Sequence, residues 1–109
     1  MVVKRDGRRE PFERAKLERG VFRALEKRPV AQLSIENLIN EIEDEAAQKG
    51  KASNELPSAD LGDMVLRRLY DLDKVAYVRF ACVYRKFETM DEFLREIRRV
   101  EEFGFEGGR

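Results

Sequence analysis

Residues 2–12 read Val2-Val3-Lys4-Arg5-Asp6-Gly7-Arg8-Arg9-Glu10-Pro11-Phe12, and their reading decides how the chain begins. Asp-Gly between two short runs is a strong hairpin signal, because both residues tolerate positive φ. The expected arrangement is a strand over 1–5, a two-residue turn at Asp6-Gly7 and a returning strand over 8–12. Pro11 confines that second strand to an edge or a strand end. With Lys16, the stretch carries five cations, Lys4, Arg5, Arg8, Arg9 and Lys16. In a strand Lys4 and Arg5 point to opposite faces, so one of them faces the element packed against the hairpin.

Beyond the hairpin the chain reads as helices. Leu17, Val21, Phe22, Ala24 and Leu25 recur at helical spacing over 13–27, and Pro29 stops the run. A second helix is expected from Ser34 as N-cap to Gly50, with Ile35, Leu38, Ile39, Ile42 and Ala46 inward. Residues 51–57 form a loop with a short third strand near 53–56. Ser58 is the expected cap of a third helix that buries Leu61, Val65, Leu69 and Leu72. Asp73 is the expected cap of a fourth over 75–87. That helix is apolar on several sides (Val75, Ala76, Val78, Phe80, Ala81, Cys82, Val83), which suits the centre of a bundle. Thr89-Met90-Asp91-Glu92 is a capping box for a last helix facing inward through Phe93, Ile97 and Val100. The fold class is therefore α+β, mostly α: a β-hairpin or small three-stranded sheet capping a four-helix bundle, plus a C-terminal helix. One domain spans 1–103, and 104–109 is expected to be a flexible tail.

Composition removes several kinds of chemistry. Among 109 residues there is one cysteine and no histidine, so neither a tetrahedral zinc site nor a His-dependent triad can be assembled. Lys plus Arg equals Asp plus Glu at 22 each, which argues against unaided nucleic-acid binding. No apolar run reaches the ~18 residues of a membrane span, so no membrane partner is expected and the cytoplasm is the default compartment. Gly50-Lys51-Ala52-Ser53 is not a phosphate loop, because the position that needs the first glycine is Glu45 and a helix precedes it. Cys82, between Ala81 and Val83, reads as a packed core residue rather than a redox site.

The chemistry lies in the first segment. A triphosphate between the hairpin and the first helix would meet Lys4 or Arg5 from the sheet, Lys16 from the helix, and the partial positive charge of the helix start. Glu10 can accept from a base amino group or a ribose hydroxyl. The plain alternative is a solvated hairpin whose charges keep an edge strand soluble. On the fourth helix Tyr77 and Tyr84 share one face, and Arg79 and Lys86 another. They are either rim residues covering the core or the wall of a ligand or subunit contact. No convincing acid–base pair is present, so the chain is not expected to be an enzyme.

The string VVKRDGRREPFERAKL resembles the opening of the ATP-cone domain, a regulatory nucleotide-binding module of ribonucleotide reductases and of the NrdR family of transcriptional repressors. DKVAYVRFACVYRKFETMDEF and EKRPV resemble the repressor family more than the enzymes. The resemblance implies a cone that binds ATP or dATP as an allosteric ligand, with Mg²⁺ as an accompanying ion. It also implies self-association into homo-oligomers and repression of reductase genes. Carried over by position, the resemblance implies that Val2 and Val3 frame the nucleotide, that Lys4, Arg5 and Lys16 hold phosphates, and that Glu10 contacts the base or sugar. It likewise implies Phe12, Glu13 and Leu17 as pocket lining, Ser58 as a hydroxyl near the phosphates, and Tyr84 with Arg85 or Lys86 as the far wall. The family's repressors carry a four-cysteine zinc ribbon ahead of the cone that reads DNA and associates with the nucleoid. These residues hold no such ribbon, so no zinc is expected here and DNA binding is expected only through a ribbon outside them. The alternatives are the allosteric cone of a reductase and a structural bundle with no ligand.

Overall fold

The computed structural model describes the backbone of residues 1–107 and the side chains of residues 1–102. Its elements are β1 (Val2–Val3), β2 (Arg9–Glu10), α1 (Arg14–Ala24), α2 (Gln32–Lys49), β3 (Leu56–Pro57), α3 (Ser58–Leu72), α4 (Lys74–Arg85) and α5 (Met90–Gly107). The expected class holds: a small sheet on a helical bundle. The sheet order is β2-β1-β3, with β2 antiparallel and β3 parallel to β1.

The hairpin differs from its sequence reading by one residue. Val2 pairs with Glu10 and Val3 with Arg9. Lys4 and Arg8 close the loop, with the Lys4 N–H donating to the Arg8 carbonyl at 2.7 Å. The connection is thus three residues, Arg5-Asp6-Gly7, with Gly7 at φ 88°. A three-residue loop ending in a left-handed residue is the next commonest hairpin after the two-residue type. Because side chains alternate, a one-residue shift decides which face each presents. Here it puts Glu10 on the same face as Val2 and Lys4.

The helices meet through a continuous core. Val21 of α1, Ile39 and Ile42 of α2, Leu66 and Leu69 of α3, and Ala76 and Tyr77 of α4 are buried. Complete burial of each large aliphatic side chain is worth about 1.5–3 kcal/mol. Asp73 caps α4 by accepting from the Ala76 N–H at 2.9 Å, and also binds the Arg28 guanidinium at 3.0 Å. Its carboxyl is opposed by burial, yet those hydrogen bonds outweigh the burial and hold it below its ordinary range. At α5, Thr89 Oγ1 accepts from the Glu92 N–H, and the Glu92 carboxylate accepts from the Glu88 N–H. This is a capping box whose return bond falls one residue early. Val100 buries the inner face of α5, and Phe87 meets Phe93 edge-to-face at 5.6 Å.

Several expectations need correction. Ser34 lies inside the first turns of α2, whose cap position is Ala31. Ser58 is the first residue of α3, with Pro57 in extended geometry before it and no side-chain cap bond; proline's fixed φ makes it a stiff lead-in. Helix α1 ends at Ala24 with Leu25 as its cap at φ −94° and ψ 4°, and Lys27 beyond it has a positive φ of 61°. Phe22 lies on the outer side of α1 and is exposed. The largest correction concerns α4, which is not buried all round. Ala76, Tyr77 and Ala81 face the core, while Cys82 is exposed and Val83 is 72% exposed. Helix α4 packs chiefly on α3 and α1, and the flank bearing Cys82 and Val83 meets solvent. The expected tail over 104–109 reaches past the described residues; α5 itself continues to Gly107.

Candidate functional site

Between the sheet, the start of α1, the start of α3 and the end of α4 lies an open cleft of about 230 Å³. Its sheet side is Val2, Lys4 and Glu10. The connector into α1 contributes Phe12 and Glu13, and α1 itself Lys16 and Leu17. Ser58 enters from α3 and Tyr84 from α4. Nine of the thirteen residues expected from sequence therefore converge on one cavity.

The other four do not line it. Val3 falls on the alternate side of the strand, as the period of two requires, and Arg5 lies in the loop at the hairpin tip. Of Lys4 and Arg5, Lys4 is the one that lines the cleft. Arg5 instead lies over the Tyr84 ring, with its guanidinium carbon 6.0 Å from the ring centroid. Arg85 turns towards α3 and lies 3.6 Å from the Asp63 carboxylate. Lys86 terminates α4 at φ 51° and is exposed.

The centre of the site is electrostatic. One Glu10 carboxylate oxygen stands 3.7 Å from Lys4 Nζ and 3.6 Å from Lys16 Nζ. Two ammonium groups from different elements are thus drawn together around one anionic oxygen, leaving a net positive charge. All three side chains keep partial exposure, at 40%, 32% and 55% for Lys4, Glu10 and Lys16, so an incoming anion can reach them. Helix α1 starts at Arg14, and among the described residues no side chain caps its first turn. The uncompensated N–H groups of a helix start favour a nearby anion.

The opposite wall is aromatic. Phe80 and Tyr84, one turn apart on α4, stack at 6.0 Å with planes 21° apart. The Tyr84 hydroxyl donates to the Ala59 carbonyl at 3.1 Å. Burial and the nearby Asp63 charge raise its pKa, against the opposing influence of Arg5. The cleft therefore combines a cationic end with a flat, half-buried aromatic face. That pairing suits an anionic ligand with a planar ring. Among the described residues no group of three or more His, Cys, Asp or Glu is placed to hold a metal ion.

Sequence reading missed Pro11, Gly20, Leu61, Gly62, Val65 and Phe80, which also line the cleft. The available signal was the pair of glycines inside helical patterns. A helix-interior glycine costs about 1 kcal/mol against alanine, so it usually marks a close approach.

This fold and this cleft place the chain in a defined class: residues 1–90 match the ATP cone domain, and the chain belongs to that family. It is 56% identical over 100 residues to the transcriptional repressor NrdR of Treponema denticola, 49% to that of Brevibacillus brevis and 48% to that of Geotalea daltonii. The matches cover 92% of this chain in each case, and 66%, 62% and 65% of the respective relatives. The chain thus spans just under two thirds of the length of the curated relatives it matches. Those relatives are named as repressors, not as enzymes. Among the described residues no helix is long and apolar enough to cross a membrane.

Proposed function

We propose that this chain is the nucleotide-sensing and oligomerisation domain of a transcriptional repressor of ribonucleotide reductase genes, with ATP and dATP as its allosteric ligands. The observation that carries the reading is the convergence of Lys4 and Lys16 on a single anionic oxygen beside an aromatic wall. A polyphosphate offers the two lysines more negative charge than Glu10 does, and it takes that position between sheet and helix. The nucleoside then lies towards Tyr84, Leu61 and Val65. Mg²⁺ accompanies the triphosphate, held by the ligand's own oxygens. The output is a change in assembly: ATP and dATP shift the chain between homo-oligomers to the extent that each oligomer binds them differently. DNA contact belongs to a zinc ribbon outside these residues, in a cytoplasmic, nucleoid-associated whole protein.

Light scattering after size exclusion tests the reading on apo, ATP-loaded and dATP-loaded protein. A mass that differs between the two nucleotides supports a sensor whose output is assembly. Binding without any change in mass removes oligomerisation from the reading. Ligand binding itself is read by thermal unfolding, since ATP at one hundred times its Kd adds about 2.7 kcal/mol to stability.

A further inference from the structure

We propose that Gly62 is a positioning residue of the cleft: the side chain it lacks is the notch that seats the Tyr84 ring as the aromatic wall. The proposal rests on the nucleotide reading of the site. Gly62 is buried in the second turn of α3, where glycine has no conformational use. Its φ is not in the positive range, and the position is ordinary helix. The reason for glycine lies in space. A Cβ built on Gly62 would overlap three atoms of Tyr84, namely Cζ, Cε1 and the hydroxyl oxygen, well inside van der Waals contact. The ring therefore lies directly on the α3 backbone.

Three further contacts fix the ring in that notch. Its hydroxyl donates to the Ala59 carbonyl at 3.1 Å, with the Ser58 carbonyl 3.4 Å away. Phe80 stacks beside it, and the Arg5 guanidinium lies 6.0 Å from its centroid. Tyr84 is thus where α3, α4 and the hairpin tip meet at the edge of the cleft. Gly20 across the cleft behaves differently: a Cβ there would reach Phe80 at an ordinary 3.5 Å. The two helix-interior glycines of the site are therefore not equivalent, and only Gly62 is required by its neighbour.

The test is a double-mutant cycle on Gly62→Ala and Tyr84→Ala, with ATP titrated calorimetrically into each protein and each protein melted without ligand. Loss of one aromatic contact predicts a weakening of ATP binding by about three- to tenfold for either single variant. The double variant is no worse than the weaker single, because both changes remove the same wall. In the melts, Gly62→Ala lowers Tm when Tyr84 is present and raises it when Tyr84 is already alanine. There the clash is gone and only the helix preference of alanine remains. A Gly62→Ala chain that binds ATP like the unsubstituted protein overturns the proposal, as does a double variant whose losses multiply. If the unsubstituted chain does not bind ATP, the nucleotide reading falls and takes the proposal with it. That outcome is distinct from a failure of Gly62 alone.

Discussion

Two charged regions of this molecule use the same residue types to opposite ends. Between α2 and α3, Glu45 takes hydrogen bonds from Arg68 at 2.7 Å and Arg67 at 3.2 Å, and Glu41 lies 3.5 Å from Arg68. Glu43 binds Arg14 at 2.7 Å and ties α1 to the same network. Arginines and carboxylates there balance, and the Glu45 carboxyl is held low: burial opposes its ionisation, but the Arg68 hydrogen bond and the two guanidinium charges outweigh it. In the cleft, Lys4 and Lys16 share one carboxylate, Glu10. In the first region each carboxylate meets an arginine of another helix. In the second, two ammonium groups converge on one carboxylate oxygen at distances beyond a hydrogen bond, so each keeps donors for an incoming anion. A net charge of zero over the whole chain conceals this difference, because what matters is local pairing rather than composition.

The comparison can be broken by substitutions on either side. The largest effect is expected in the cleft. Lys4→Ala and Lys16→Ala each remove a charge-assisted contact worth about 1.5–3 kcal/mol, so each lowers ATP affinity at least tenfold by calorimetry while leaving the melting curve essentially in place. If both proteins bind ATP normally, the two lysines are only a solvated surface.

Glu45→Ala should do the reverse. It takes a hydrogen-bond acceptor from two part-buried guanidinium groups and costs about 1–3 kcal/mol in urea unfolding, with ATP affinity unchanged. A fall in affinity comparable to that of the lysine variants would erase the distinction between the two regions.

Acid sharpens the comparison on the structural side. Asp73 and Glu45 have carboxyls lowered in the folded state. Their contribution to stability is complete above the ordinary carboxyl range near pH 4 and is lost as pH falls through the lowered folded values. Asp73→Asn should flatten the pH dependence of Tm below about pH 4, and an unchanged slope would mean that the α4 cap titrates without consequence.

The smallest effect is expected at Cys82→Ser, which should change stability by no more than about 0.5 kcal/mol, because the thiol is exposed. A large loss would restore the reading of α4 as a central helix.

Much of this was legible in the sequence, and the exceptions have physical causes. The helical faces of α2 and α3 followed from a 3.6-residue period, and Ile39, Ile42, Val65 and Leu69 are buried as that period requires. Asp73 was recognisable as a cap because its side chain competes for the first-turn N–H groups. The hairpin was legible as a hairpin but not in register, since Asp-Gly serves both a two-residue turn and the end of a three-residue loop. That single residue decides whether Glu10 faces Lys4, so the core of the site depended on a detail the sequence leaves open. The position of α4 was not legible either. Apolar residues on every side fit a central helix and equally a helix with one bare flank, and only packing separates the two. Gly62 carried a signal in its helix context, but its partner Tyr84 lies 22 positions away, beyond the reach of local pattern.

The most direct measurement is amide mapping by ¹H–¹⁵N correlation spectra during titration with ATP. The account predicts that the largest shifts fall on Lys4, Glu10, Lys16 and Ser58, with Tyr84 and Gly62 next, and that Arg67 and Arg68 stay unmoved. Shifts centred instead on the exposed face of α4 around Val83, or no shifts at all, would contradict it.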